Sequence, residues 1–210
     1  MAVKKRRRIK KIFVIILVLI GILILMFLLG SKFLYKGNSN PEKVKVNDKI
    51  DEYGYVLKDN ETKYYKKIFN NLKNELSNET VDEEEYAKLI AQLFVIDFFN
   101  LDNKENKNDV GGTQFVYASF QSDFEKLAKE SIYKSIENDI YDSRNQELPI
   151  VKNTEVINVE KISYDYLDNS DKEAYEVTLE IEYKEDFGYQ TECTIILVHS
   201  NNKLEIVKMI

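Results

Sequence analysis

The sequence predicts an α+β domain behind a single transmembrane helix, and three observations carry that reading. An uncharged, almost wholly aliphatic run covers residues 12–29. Apolar residues then recur at a period near 3.6 through the first half of the remaining chain and at a period of 2 through the second half. Helices followed by strands imply about three helices packed on one face of a curved antiparallel sheet of about four strands, a cone-like arrangement.

The N-terminal part is read from charge and length. Lys4, Lys5, Arg6, Arg7, Arg8, Lys10 and Lys11 precede the aliphatic run. Eighteen residues at about 1.5 Å each make roughly 27 Å of helix, close to the hydrocarbon thickness of a bilayer. A cleaved secretion signal is the competing reading. The run exceeds the ~7 to 15 residues of a signal's apolar region, and Ser31-Lys32-Phe33-Leu34-Tyr35 places bulky groups where small ones are needed for cleavage. Phe33 and Tyr35, flanked by Lys32 and Lys36, suit an aromatic anchor at the far interface. Basic residues beside a span stay on the cytoplasmic side, so the expected order is a cytoplasmic tail (1–11), a transmembrane helix (12–29), an interface and tether (30–53) and an extracytoplasmic α+β domain (54–210).

Charge divides the chain at the same junction. Seven of the 30 Lys and Arg lie in the tail and all 36 Asp and Glu lie beyond the span, which leaves the exterior part at about −13. So acidic a body repels nucleic acid and anionic headgroups, and the basic tail is read as a topology signal that touches the inner leaflet. Cys193 is the only cysteine, so no internal disulfide supports the domain. Outside the tail Arg occurs only as Arg144 while Lys, Asn and Ile abound, the bias of an AT-rich bacterial genome. The sequons at Asn60 and Asn78 are read as accidents of an Asn-rich chain.

In the exterior part, Tyr64, Ile68, Leu72 and Leu76 recur every fourth residue after Asn60, a candidate cap, and predict a first helix. Asp82 is a second cap, with Glu85 able to reach back and Val81 able to pack on Tyr86; the apolar face is Tyr86, Leu89, Ile90, Leu93 and Phe94. A polar loop from Asn103 to Asn108 and the Gly111-Gly112 pair end that helix. Phe120, Phe124, Leu127, Ile132, Ile136 and Ile140 predict a third helix, with Ser122 and Glu125 as an internal start. Residues 174–184 alternate without error and predict a strand with one buried face. Turns at residues 185–188 and 201–202 lead into strands over 189–199 and 203–209, and an earlier strand over 154–166 is expected to be bulged between Val159 and Ile162.

Residues able to carry chemistry are few. His199, the only histidine, and Cys193, in register with Thr191 and Ile195, read as structural. Gly111-Gly112 lacks the companions of a phosphate loop and reads as a turn. Glu176, Glu180 and Glu182 form a solvated strand face rather than a calcium site, so neither a metal nor a cofactor is expected. Asp97 alone is misplaced: it falls on the apolar face of the second helix, beside Ile96, Phe98 and Phe99, near a helix C-terminus that disfavours negative charge. It is either a ligand-contacting or acid–base carboxylate, or one satisfied by a tyrosine or a backbone N–H, or one left exposed by a helix that ends earlier.

A basic tail, one span, a tether, three helices and a terminal meander resemble the membrane-anchored nuclear-transport-factor-2-like domains, including inner-membrane assembly proteins of type IV secretion and conjugation systems. The resemblance is one of architecture, without a diagnostic motif, and carries over no residue. It implies a noncatalytic scaffold with a protein partner at the membrane surface, while soluble relatives use the space between sheet and helices as a pocket. Two expectations follow: a membrane-tethered interaction module in contact with the lipid bilayer and without nucleic acid, or a small-molecule binder or cone-pocket enzyme that uses Asp97.

Overall fold

The computed structural model describes residues 45–139 and 143–210. The first element is a hairpin of β1 (Val46–Ile50) and β2 (Tyr55–Lys58), paired antiparallel and turned through Gly54 at φ +70°. This corrects the expectation that tether continues to Tyr53: Ile50 is buried in the core, and Asp48 meets Lys73 at 2.6 Å. The strand is short and mostly charged or polar, so neither a period of 2 nor an apolar run announced it.

Helix α1 (Lys63–Glu75) buries Tyr65, Ile68, Phe69 and Leu72. Its cap is Thr62, whose hydroxyl accepts the Tyr65 N–H at 3.1 Å, rather than Asn60. Helix α2 (Glu83–Phe99) starts as expected, with Asp82 accepting the N–H groups of Glu84 and Glu85. The reciprocal bond comes from Glu75 of α1, which accepts the Asp82 N–H at 2.7 Å and ties the two helices at their junction. Twelve of the 17 residues of α2 are buried, so it is a central helix, buried all round over its last turns and packed against α1, β3, β4 and β6.

The third helix is shorter than its apolar spacing suggests. Helix α3 spans Gln121–Glu130 and is preceded by a 3-10 turn at Ala118–Phe120. It stops at Ser131, whose hydroxyl donates to the Leu127 carbonyl at 2.6 Å. Tyr133 and Ile136 reach the core from a run of turns instead. Ile140 lies outside the described residues.

Strands β3 (Val151–Tyr166), β4 (Asn169–Tyr183), β5 (Glu192–Ser200) and β6 (Lys203–Met209) form one antiparallel sheet in the order β3-β4-β5-β6. In β4 the alternation holds: Tyr175, Val177, Leu179 and Ile181 are buried. Register shifts fall between Val156 and Asn158 and between Ile162 and Tyr164, on either side of the expected bulge. Such shifts bend and twist the long β3–β4 hairpin. The strand expected from residue 189 begins at Glu192, after a turn in which Gly188 sits at φ +74°.

On the face away from the helices, Glu155, Glu180 and Glu192 stand directly opposite one another across three strands. Like charges so placed repel, which predicts that Glu180→Lys raises the melting temperature by about 1–3 °C at low salt, with the gain shrinking at 1 M salt. An unchanged or lower melting temperature would contradict it.

Among the described residues no helix is long and apolar enough to cross a membrane. The expected span at residues 12–29, its basic flank and the Phe33 and Tyr35 anchor lie outside the described residues.

Candidate functional site

The sheet, α2 and the loop that follows α2 together place the residue singled out from sequence. Asp97, near the end of α2, is 4% exposed. Lys104 reaches back from the loop and sets its ammonium 2.5 Å from Asp97 Oδ1, and the Gly112 N–H donates to Oδ2 at 2.7 Å. Burial works against the charge of Asp97, but the Lys104 ammonium and the Gly112 N–H outweigh it and hold the carboxyl below the usual range. Lys104 is equally buried; burial lowers its pKa, yet the neighbouring carboxylates, Asp97 foremost, keep it raised and charged.

The surroundings fix this pair. Tyr133 donates to the Phe98 carbonyl at 2.7 Å and accepts the Gly111 N–H at 3.1 Å. Arg144 donates from Nη1 to the Lys104 carbonyl and from Nη2 to the Asp102 carbonyl. Asn100, just past the helix, accepts the Val151 N–H and joins α2 to the start of the sheet. The glycine pair therefore does more than turn the chain. A Cβ at Gly111 would lie 2.1 Å from the Asp97 carbonyl oxygen, backbone that has no room to move. Gly111→Ala is accordingly expected to destabilise the domain toward the upper end of roughly 1–3 kcal/mol, measured by urea denaturation; a loss within error would show that the clasp is looser than described.

Sequence reasoning found Asp97 and missed its partners. Lys104 sits in a polar loop that looks solvated, and the one available signal is the requirement that a buried anion have a cation within reach. Glu61 was missed as well. It is buried one residue before the α1 cap, and the Asn103 side-chain amide donates to it at 3.4 Å. Burial, reinforced by the charge of Asp97, pushes its pKa up to about 7. Asn60 and Asn103 flank it with side-chain oxygens that are buried and carry no hydrogen bond.

His199 is better placed than its sequence context suggested. Asp171 accepts both its backbone N–H (2.7 Å) and its ring Nδ1 (2.8 Å). Burial raises the pKa of Asp171, but the N–H groups of His199 and Glu173 outweigh it and hold the carboxyl low, so it acts as an acceptor and Nδ1 carries the proton. Nε2 faces Glu83 at 3.7 Å, at the rim of a cleft of about 340 Å³ with Tyr53, Tyr86 and Lys203. At that cleft the Tyr86 hydroxyl is bonded to Tyr55 at 2.6 Å and, through burial, pushed up to about 12. Cys193 faces the core opposite Leu179, its thiol also pushed up to about 12 by burial.

Among the described residues an apolar opening lies between α2, α3 and β6. It is a groove of about 400 Å³ whose walls include Phe94 and Phe98 from α2, Phe120 and Phe124 at the start of α3, and Met209 from β6. The Phe124 ring packs at a tilt against those of Phe94 and Phe98, with centroids 5.7 Å and 5.3 Å away. Leu127, expected on the buried stripe of the third helix, stands at the rim with 65% of its surface exposed. Asp123 and Lys208 are the charged residues of its lining.

No family model, no curated protein and no solved structure matches this chain.

Proposed function

We propose that this chain is a single-pass membrane-anchored protein whose extracytoplasmic domain is a noncatalytic protein-interaction or scaffold module. The observation that carries the reading is the open, aromatic-walled groove between α2, α3 and β6, with Leu127 presented at its rim. Open apolar grooves with polar rims suit protein docking. The anchor rests on residues 12–29 and their basic flank, and the acidic exterior disfavours nucleic acid as a partner. The partners proposed are the lipid bilayer and a protein at its outer surface. The order of elements supports kinship with the nuclear-transport-factor-2-like domains at the level of architecture alone.

The reading in which Asp97 serves a cone-pocket enzyme or small-molecule site has less support. Both carboxylate oxygens are already engaged by Lys104 and Gly112, and Gly111 closes against the same residue. The topology is tested by protease added to intact cells that express the full chain. Digestion of the domain is the expected result; full protection, lost only when the membrane is permeabilised, would overturn the outward placement.

A further inference from the structure

We propose that the groove receives its partner as an added β-strand, an extended segment with apolar residues at alternate positions that pairs with the outer edge of β6. The inference rests on the reading of this domain as an interaction module and specifies how that module binds. The decisive feature is the hydrogen-bonding direction of Met209. Thr194 and Ile210 exchange both backbone bonds, at 3.0 Å and 2.9 Å, and the register continues one-to-one through Ile195↔Met209 and Ile196↔Lys208. Antiparallel pairs alternate between bonded and non-bonded, so the N–H and C=O of Met209 point away from β5. Strand β6 is the edge of its sheet, and no described residue hydrogen-bonds those two groups.

The same edge already accepts a strand-like neighbour further back. Val116 bridges Ile206 in parallel, and the Tyr117 N–H donates to the Ile206 carbonyl at 2.8 Å. The pairing ends there because Ala118–Phe120 turns away as a 3-10 turn. What remains open is the stretch of β6 that borders the groove, with Val207, Lys208 and Met209 all in its lining. A partner residue set beside Met209 points its side chain to the inner face, over Phe94, Phe98 and Phe124. Its neighbours point outward beside the exposed Lys208, where a polar or acidic residue fits. A helical partner would fill the groove but offer no free backbone groups to Met209, which is why the occupant is an extended strand.

The test uses the full chain in detergent micelles carrying Leu127→Cys, disulfide-linked to the peptide acetyl-Cys-Gly-Thr-Val-Thr-Val-Thr-amide. Tethering supplies a high effective concentration, and the buried, weakly acidic thiol of Cys193 does not compete for the label. Hydrogen exchange at the Met209 amide is expected to slow about tenfold or more, and to stay unchanged with a peptide in which both valines are replaced by proline. Equal exchange with the two peptides would overturn the proposal. In cells, a photocrosslink placed at Leu127 separates the two levels of inference. Met209→Pro removes the outward N–H without touching the ladder to β5 and is expected to lower adduct formation about fivefold or more, whereas Met209→Ala keeps the donor and the adduct. An adduct indifferent to Met209→Pro refutes strand addition and leaves the docking reading intact; no adduct from the otherwise native chain refutes the docking reading itself. Should Met209→Pro unfold the domain, the tethered-peptide exchange decides.

Discussion

Lys104→Met is expected to be the most damaging single substitution in the domain, with a loss of about 3–5 kcal/mol, because it removes the cation that, alone among the described residues, pairs with a buried carboxylate whose second oxygen is held by Gly112. The side chain would retain most of its volume, so the loss reports charge rather than packing. Asp97 would then face desolvation with one N–H donor, and the loop that closes over α2 would lose one of its attachments. The double variant Asp97→Asn, Lys104→Met tests the cause. A neutral amide oxygen can still accept the Gly112 N–H, so a large part of the loss is expected to return. Urea denaturation of the full chain in detergent measures both, and a single-variant loss below about 1 kcal/mol would mean that the pair contributes no more than a surface ion pair.

Glu61→Gln is expected to stabilise the domain at pH 8 and to leave it nearly unchanged at pH 4. Burial first, and then the charge of Asp97, raise the folded-state pKa of Glu61 from 4.5 to about 7. A raised pKa means that the folded state binds the proton more tightly than the unfolded chain. The stabilisation is therefore fully present below about 4.5, declines between 4.5 and 7, and is absent above 7, where the folded state must hold a desolvated carboxylate. At about 1.4 kcal/mol per unit the difference between wild type and Glu61→Gln should grow to roughly 3 kcal/mol across that window. Subtracting the two stability–pH curves cancels the other titrating groups. A flat difference curve would contradict the assignment.

The parts of the fold that could be read from sequence are those whose information is local. Strand β4 shows its buried face by strict alternation, β6 is bounded by the Asn201-Asn202 turn and matches its expected residues, and Asp82 marks the start of α2 through short-range backbone bonds. The parts that could not be read depend on tertiary contact. Glu75 rather than Glu85 completes the cap of α2, because a residue from the preceding helix lies closer to the Asp82 N–H. The stripe Phe120, Phe124 and Leu127 has helical spacing, but α3 ends at Glu130 and no element among the described residues covers Leu127, so the same spacing yields a groove wall rather than core. At the candidate site, the anomaly of Asp97 was visible and its resolution was not. Lys104 lies seven residues on in a loop, and Glu61 precedes α1; neither spacing encodes a contact.

The central claim is that an outward-facing domain docks a protein through the groove at Leu127, and the most direct measurement is site-specific photocrosslinking of the full chain in intact cells. A benzoyl-phenylalanine placed at Leu127 is compared with one at Leu167, which is as exposed (63%) and lies at the tip of the β3–β4 hairpin. A discrete protein adduct from position 127, with none from position 167, is the predicted result. No adduct from position 127, or equal adducts from both, would contradict the account.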